Sequence, residues 1–333
     1  MTRWNVYVTN EIPKPALDRL EEFCDIEVNR TGRVLERSEL LEKVKGRDAV
    51  LSLLTDPIDS EVMDTAKGVK IFANYAVGYN NIDIPSATDR GIMVSNTPGV
   101  LTDTTAEMAW ALLFSVARRV VESDKYSRMG NYKGWGPMLF LGQDVMNKTV
   151  GVIGAGRIGL SFAKRAKAFD MTVLYTDIAA NPEFEKETGG QFVSLETLLK
   201  ESDFVSIHTP LLPETHHLLS EKEFKLMKNT AILINTSRGP VVDEAALVKA
   251  LQSGEIWGAG LDVYEFEPEF SEGLLELDNA IVCPHIASAT IDTRTKMGMI
   301  AVSNIIAAMN GELPPTCLNP EVYKKNPNNS QKG

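Results

Sequence analysis

Residues 149–159 read TVGVIGAGRIG, and this stretch decides the fold. An apolar run, Thr149–Ile153, leads directly into the spacing G-x-G-x-x-G, and a helical pattern starts at Ile158. Such glycines allow a tight turn and a close backbone approach to a pyrophosphate, which the free N–H groups of the following helix bind. The stretch therefore predicts a dinucleotide-binding βαβ unit. The residues expected at the cofactor are Gly154, Ala155, Gly156, Arg157 and Ile158.

An acidic residue completes this pattern at the end of the next predicted strand. Asp177 follows Thr172–Thr176 and lies 18 residues beyond Gly159. A carboxylate at this position accepts hydrogen bonds from the adenosine ribose hydroxyls and repels a 2′-phosphate. The sequence therefore predicts NAD as the cofactor, in preference to NADP.

Strands and helices alternate on both sides of the glycine-rich turn, which indicates parallel sheets covered on both faces. Before the turn, strands are predicted at Trp4–Thr9, Ala49–Leu54, Ile71–Asn74 and Ile92–Ser95, and helices at Ala16–Phe23, Ser38–Lys45, Ser60–Ala66 and Thr102–Met129. From the turn onward, strands are predicted at Thr149–Ile153, Thr172–Thr176, Phe204–Ile207, Ala231–Asn235, Gly258–Leu261 and Ile281–Cys283, and helices at Ile158–Phe169 and Thr293–Met309.

The expected fold is α/β, with two Rossmann-like doubly wound parallel-sheet domains and a cleft between them. Residues 101–287 are predicted to form the NAD-binding domain. Residues 1–100 are predicted to form the substrate domain, completed by the C-terminal helix within 288–333. The 333 residues exceed what a single core usually organises, which agrees with two domains.

Composition excludes several classes of function. The 44% hydrophobic and 24% charged residues are typical of a globular protein, and no apolar run reaches the length of a membrane span. A formal net charge of −11 disfavours nucleic acid as a partner. The three cysteines are scattered without metal-binding spacing. Together with an N-terminus that lacks a signal-peptide pattern, they predict reduced thiols and a cytoplasmic location.

Arg238 is the candidate for binding a substrate carboxylate. It follows the predicted strand Ala231–Asn235, and ligands of doubly wound sheets lie at the carboxyl ends of strands. A guanidinium pairs with a carboxylate through two parallel hydrogen bonds and polarises a neighbouring carbonyl. The alternative is a surface arginine in a salt bridge.

His285 is the candidate acid–base residue. It follows the predicted strand Ile281–Cys283, and reduction of a carbonyl creates an alkoxide that a group titrating near neutrality protonates. The alternative is a buried structural histidine. Glu267 is a candidate partner that holds the imidazole in position, although from the residues alone it is equally well a solvated acidic side chain.

The remaining histidines are weaker candidates. His208 follows a predicted strand and is expected to contact the cofactor in preference to the substrate. His216 and His217 are adjacent, but the sequence indicates no third ligand, so no metal site is predicted.

Five motifs together resemble the D-isomer-specific 2-hydroxyacid dehydrogenases. They are the glycine-rich turn, NTSRG at 235–239, GLDV at 260–263, EP at 267–268 and PHIAS at 284–288. The resemblance implies that Arg238, Glu267 and His285 are catalytic. It adds further cofactor positions at Thr105, Thr209, Pro210, Thr236, Ser237, Arg238, Asp262, His285, Ala287 and Ser288. It also implies that Ala76, Val77 and Gly78 bind the substrate carboxylate through backbone N–H groups, alongside Arg238 and His285.

Within this family, three segments look most like glyoxylate and hydroxypyruvate reductases: residues 73–83, 96–103 and 311–315. The resemblance implies an oxidoreductase that transfers a hydride from NADH to glyoxylate or hydroxypyruvate, giving the 2-hydroxy acid. Many such reductases carry Ser or Arg where Asp177 stands and use NADPH, so this chain departs from them. The alternatives are another D-2-hydroxyacid dehydrogenase, of the phosphoglycerate or D-lactate type, or a dinucleotide-sensing corepressor.

The apolar loop Gly130–Gly142 indicates a subunit contact. It carries Trp135, Met138 and Leu139, which are too apolar to be left in water. Members of the family that the chain resembles are usually dimeric. We therefore expect a homodimer in which Trp135 reaches towards the pocket of the neighbouring subunit.

Overall fold

A computed structural model describes residues 3–324 of the chain, which divide into two compact units. The first unit contains the residues up to Leu101 together with those from Ala289 onward. The second unit is the intervening segment, Thr102–Ser288.

The N-terminal segment of the first unit forms a five-stranded sheet. In chain order, its elements are β1 (Asn5–Val8), α1 (Lys14–Glu21), β2 (Asp25–Val28), α2 (Arg37–Lys43), β3 (Ala49–Ser52), α3 (Ser60–Thr65), β4 (Ile71–Asn74), α4 (Ile84–Asp89) and β5 (Met93–Ser95). The strands pair in parallel in the order β2-β1-β3-β4-β5. The strand order reverses between β1 and β3, as in flavodoxin-like sheets.

The second unit forms a seven-stranded sheet. Its elements are α5 (Thr102–Ala117), α6 (Val120–Arg128), β6 (Thr149–Ile153), α7 (Arg157–Ala166), β7 (Thr172–Thr176), α8 (Pro182–Thr188), β8 (Gln191–Phe192), α9 (Leu195–Glu201), β9 (Phe204–Ile207), α10 (Glu221–Phe224), β10 (Ile232–Asn235), α11 (Glu244–Ser253), β11 (Gly258–Leu261) and β12 (Ala280–Val282). The strands pair in parallel in the order β12-β11-β10-β9-β6-β7-β8. The order reverses between β6 and β9, the point at which such sheets bind ligands.

The chain returns to the first unit through α12 (Ile291–Met309) and ends its described part in α13 (Glu321–Lys324). Thr290 caps α12, because its side chain accepts a hydrogen bond from the Thr293 amide at 3.2 Å. The buried face of α12 packs on the same core as α1 and β4. Gly298 allows the close approach to α1, since a Cβ at that position would lie 2.6 Å from the Ala16 Cβ.

Each sheet has apolar clusters on both faces, as helices on both sides require. The prediction of two Rossmann-like doubly wound parallel sheets is thereby confirmed.

The predicted single helix Thr102–Met129 is wrong. The helix ends at Ala117, and Arg119 adopts a left-handed backbone, φ 53°, before α6 begins. The returning chain explains the break: the Gln143 amide donates to the Ala117 carbonyl at 2.8 Å. A residue 26 positions away in sequence therefore binds a carbonyl that a continuing helix would use.

The sequence analysis also missed the strands β2 and β8 and the helices α4, α8 to α11 and α13. The strands β2 and β8 are short and lie at sheet edges, where the apolar signal is weak.

Candidate active site

The glycine-rich turn of the second unit has the shape of a phosphate cradle. Gly154 has φ +99°, and a Cβ there would lie 2.8 Å from the His208 backbone. A Cβ on Gly159 would lie 2.0 Å from the Gly154 carbonyl oxygen, whereas one on Gly156 would meet nothing within 4 Å. The outer glycines therefore close the turn, while Gly156 faces open space beside the first N–H groups of α7. No side chain caps that helix start.

Asp177 lies beside this turn, as predicted from the sequence. Its Oδ2 accepts the Ala155 amide at 2.7 Å, and its Oδ1 accepts the Ile178 amide at 2.7 Å. The residue is exposed, so each carboxylate oxygen keeps a lone pair that faces solvent. The carboxylate is thus fixed in orientation before any ligand binds.

Two threonines at predicted cofactor positions have unsatisfied hydroxyls. The Oγ1 atoms of Thr209 and Thr236 are buried, and neither has a hydrogen-bond partner among the described residues. Buried hydroxyls normally have partners, so unpaired ones following β9 and β10 fit a polar ligand. Together with the glycine turn, this arrangement fits a dinucleotide.

The other predicted cofactor positions lie around the same sheet edge or on α5. Thr105 is buried in α5, Ile158 is half-buried in α7 and Pro210 is exposed. His208 pairs with the Ser206 hydroxyl at 2.9 Å, and burial lowers its pKa to about 3, so its ring is neutral. The contact of His208 with cofactor stays a prediction.

His285 and Glu267 form a hydrogen-bonded pair, with 2.9 Å between Nδ1 and Oε2. His285 has a left-handed backbone, φ 53°, which is uncommon outside glycine. The other carboxylate oxygen of Glu267 accepts the Tyr264 amide at 3.0 Å. Burial acts to raise the pKa of Glu267, but the hydrogen bond and charge of His285 outweigh it and hold that pKa below its usual value. The carboxylate is therefore ionised at neutral pH.

Asp262 braces the turn that carries His285. It is fully buried, and its two oxygens accept the amides of Ile286 and Ala287 at 2.8 and 2.7 Å. Burial raises the pKa of Asp262, with the two amide hydrogen bonds opposing the rise. Its predicted cofactor contact stays a prediction. Ser288 ends the second unit and is half-buried.

Arg238 is a half-buried cation without an ion-pair partner among the described residues. Its Nη1 donates to the Ser237 carbonyl at 2.6 Å, and it forms no ion pair with any residue among 3–324. Burial lowers the pKa of Arg238 and the charge of Glu267 opposes this, but a guanidinium remains protonated at any physiological pH. Such a group is suited to an anionic ligand.

The loop of residues 76–78 belongs to the first unit and has a different kind of anion site. Its three carbonyls accept hydrogen bonds of 2.8, 2.8 and 3.1 Å from the Thr97 amide and the side-chain amides of Asn96 and Asn74. The N–H groups of residues 76–78 donate to no described residue. Successive amides without a backbone partner, on a backbone held by three hydrogen bonds to its carbonyls, are available to an anionic ligand.

Sequence reasoning missed the residues that hold these groups in place. Asn235 accepts the Ser237 amide at 3.0 Å and donates to the Arg238 carbonyl at 3.0 Å, which shapes the turn after β10. An Asn followed by Thr-Ser after a strand is a recognisable turn signal. The Tyr264 hydroxyl, which donates to the Cys283 carbonyl, and the Asn96 amide, which donates to the Val77 carbonyl, carry no such local signal, because each partner is 19 residues away.

The two adjacent histidines have a third neighbour that the sequence did not reveal. His217 Nε2 lies 2.7 Å from Glu265 Oε1, and donor atoms of His216, His217 and Glu265 all lie within 4.8 Å of one another. Glu265 is therefore a third possible donor beside the two histidines, which the sequence pattern did not indicate.

Comparison with known proteins agrees with the geometry. The sequence profile of the D-isomer specific 2-hydroxyacid dehydrogenase NAD binding domain matches residues 110–287. A glyoxylate reductase from Thermococcus litoralis is 51% identical over 326 residues, which cover 97% of this chain and 98% of that protein. The chain belongs to the D-isomer-specific 2-hydroxyacid dehydrogenases.

Solved structures place this dehydrogenase among the same proteins. The TT0316 protein from Thermus thermophilus is 48% identical, with a TM-score of 0.90 over 94% of this chain and 99% of that one. An NADPH-dependent glyoxylate/hydroxypyruvate reductase from Sinorhizobium meliloti is 31% identical, with a TM-score of 0.84 over 95% and 97% of the two chains. This chain is thus an oxidoreductase that uses a nicotinamide dinucleotide and a small 2-oxo acid.

No described helix has the length and apolar character that a bilayer span requires.

Proposed function

We propose that this dehydrogenase reduces glyoxylate to glycolate with NADH, using Arg238, Glu267 and His285. The observation that carries the proposal is the Glu267–His285 hydrogen bond of 2.9 Å together with a guanidinium that has no counter-ion. A 2-oxo acid presents a carboxylate and a carbonyl on adjacent carbons. An uncompensated cation and a proton donor are the two groups that its reduction requires.

Each residue has a separate task in this reaction. Arg238 binds the carboxylate and polarises the carbonyl oxygen through its planar fork of donors. When bound, the reduced dinucleotide supplies the hydride for the carbonyl carbon. His285 donates its proton to the oxygen as negative charge develops there, and ionised Glu267 stabilises the protonated ring and fixes its orientation.

We assign substrate binding in the first unit to Ala76, Val77 and Gly78. Their free N–H groups donate hydrogen bonds to a carboxylate without adding a formal charge, and the hydrogen bonds from Asn96 and Asn74 hold the loop in place. Asn96→Ala tests this assignment. We expect a higher KM for glyoxylate with little change in the Kd for NADH, because the loop belongs to the first unit.

We assign NADH as the preferred reductant because Asp177 stands where a 2′-phosphate would bring further negative charge. Asp177→Ala removes the charge-assisted hydrogen bonds to ribose, so NADH affinity should fall roughly 10- to 150-fold while NADPH affinity is unchanged or improved. Comparison of kcat/KM for both cofactors, in wild type and variant, measures this. A wild-type enzyme with a higher kcat/KM for NADPH would contradict the assignment.

The substrate is tested by a steady-state screen of glyoxylate, hydroxypyruvate, pyruvate and bulkier 2-oxo acids. We expect the highest kcat/KM with glyoxylate. A preference for a bulkier acid would redirect the proposal to another member of the family without affecting the acid–base pair.

We also propose a homodimer formed through the segment 130–142. Its side chains are exposed on the isolated chain, with Trp135 at 83% and Met138 at 76% of their maximum. Large exposed apolar groups in one segment mark protein contacts. Met138→Asp should yield monomers in sedimentation analysis, whereas Lys133→Asp, a polar change in the same segment, should leave the dimer intact.

The free cysteines support a reducing compartment, and we propose the cytoplasm.

A further inference from the structure

We propose that His216, His217 and Glu265 form a binding site for a divalent transition-metal ion, separate from the acid–base pair. The donor atoms of the three side chains lie within 4.8 Å of one another in the second unit. Two imidazole nitrogens and a carboxylate oxygen are a common ligand set for Zn²⁺ and also suit Ni²⁺ and Co²⁺. Three protein ligands leave a tetrahedral position for water.

Two of the three ligands are fixed in place by the fold. His217 has a left-handed backbone, φ 49°, and its amide donates to the Pro240 carbonyl at 2.8 Å. Glu265 Oε2 accepts the Glu244 amide at 3.1 Å, and its own amide donates to Glu244 Oε2 at 2.8 Å. A backbone conformation uncommon for a non-glycine residue, held by its surroundings, is characteristic of functional sites.

His216 completes the set from the solvent side. Its ring stacks on that of His217, with 4.1 Å between centroids and 26° between planes, and the residue is exposed. Coordination requires the two nitrogens to converge, so the exposed His216 ring rotates while His217 stays in place. The 2.7 Å between His217 Nε2 and Glu265 Oε1 widens slightly, because bonds of about 2.0–2.2 Å at tetrahedral angles separate ligand atoms further.

The charges around the site favour a cation. The Glu265 side chain is 11% exposed and Glu244 is 3% exposed, and no described lysine or arginine forms an ion pair with either carboxylate. The charge of His217 also contributes to lowering the pKa of the Asp243 carboxyl, against the effect of burial. Glu244 and Glu265 are thus two carboxylates linked through each other's backbone amides. A divalent ion would compensate their charge.

The competing explanation is that the His217–Glu265 hydrogen bond only stabilises the packing of the loop that carries His217 against the segment that carries Glu265. The two explanations differ at His216, which makes no hydrogen bond to Glu265 and matters only if a metal binds. Binding would also displace any proton shared by His217 and Glu265, so the metal site predicts proton release on binding.

The test is calorimetric titration of the chelator-treated full chain, carrying no affinity tag, with Ni²⁺ at neutral pH. We expect saturable binding of a single ion, with heats that depend on the buffer because protons are released. His216→Ala and Glu265→Gln should each weaken binding by at least about 10-fold. Co²⁺ should give the absorption of a tetrahedral site with nitrogen and oxygen ligands.

His285→Ala is the matched control, because it removes the other histidine that pairs with a glutamate. Binding should survive this change within about 2-fold, a difference below 0.5 kcal/mol. Thermal unfolding of each variant confirms that it is folded. The proposal would be overturned if His285→Ala lost metal binding while His216→Ala kept it. It would also be overturned if the wild-type chain showed no saturable binding, or if Co²⁺ gave the absorption of a cobalt–thiolate complex. No substrate or cofactor is present, so the result does not depend on the proposed reaction.

Discussion

Two histidine–glutamate pairs lie close together in sequence, since Glu265 and Glu267 are two residues apart. His285 pairs with Glu267 at 2.9 Å, and His217 pairs with Glu265 at 2.7 Å. Both histidines have left-handed backbones, at φ 53° and 49°. The two pairs therefore share residue types and backbone conformation, although His285 uses Nδ1 and His217 uses Nε2. Their functions must be decided by their surroundings.

The surroundings differ in the sign of the nearest charges. The cation Arg238 faces Glu267, so the first pair lies beside a site suited to a substrate carboxylate. The second pair lies beside Glu244 and Asp243, which repel an anion and attract a cation. The His285 pair also follows a strand at the ligand-binding edge of the sheet, whereas His217 lies in a loop. The same pair of side chains thus suits acid–base catalysis in one setting and metal binding in the other.

The largest expected difference is between the two histidines. His285→Ala should lower kcat for glyoxylate reduction by roughly 10²–10⁴, the usual contribution of a positioned acid. His217→Ala should lower it by less than about 10-fold, because that ring belongs to the proposed metal site and takes no part in proton transfer to the substrate. Steady-state kinetics measures both, and NADH binding serves as the control for folding. Equal losses in the two variants would show that the pairs are not functionally distinct.

Replacing Arg238 tests the charge that distinguishes the two settings. Arg238→Lys keeps the charge but loses the two parallel hydrogen bonds, so kcat/KM for glyoxylate should fall by about 10- to 150-fold. The Kd for NADH, measured by fluorescence, should change little. A loss confined to NADH affinity would mean that this guanidinium binds cofactor in place of substrate.

The two glutamates provide a third comparison with a smaller expected effect. Glu267→Gln should lower kcat by about 10-fold and move the alkaline limb of the pH–rate profile to lower pH, because an amide does not stabilise a protonated imidazole. Glu265→Gln in chelator-treated enzyme should leave the profile in place. The pKa of Glu267 is lower than the ordinary value of 4.5, so the carboxylate is still ionised when the pH falls to 4.5. Its stabilisation of the protonated His285 ring therefore persists across the neutral pH range. An unshifted profile in Glu267→Gln would contradict its pairing role.

The smallest effect concerns the bracing of the catalytic pair. The Tyr264 hydroxyl donates to the Cys283 carbonyl at 2.7 Å, at the start of the turn that carries His285. Tyr264→Phe removes this bond at a cost of about 1 kcal/mol, which corresponds to a Tm lower by about 2–4 °C for a unit of this size. Differential scanning calorimetry measures the shift. A Tm change without any change in kcat would limit this tyrosine to a structural role.

Much of the second unit could be predicted because its signals are local. The observed bounds of β6, β7, β9 and β11 match the predicted strands, since buried parallel strands are continuous apolar runs that turns delimit. The edge strands β2 and β8 were missed because their apolar signal is weak. The break at Ala117 could not be predicted because its cause lies in a distant part of the chain. The Gln143 amide that ends α5 is that cause.

The chemistry that the chain carries follows from the sequence alone: the glycine turn, an acid 18 residues beyond it, and an arginine and a histidine that each follow a predicted strand. Periodicity and motif spacing record such features, because each depends on residues near one another in the chain. The pairing of Glu267 with His285 was expected from the EP motif, whereas the pairing of Glu265 with His217 became visible only in the folded chain. Glu265 and Glu267 are two residues apart, and the backbone of this segment directs one to His217 and the other to His285. Partners 48 and 18 residues away are brought within hydrogen-bonding distance by packing, which no local pattern encodes.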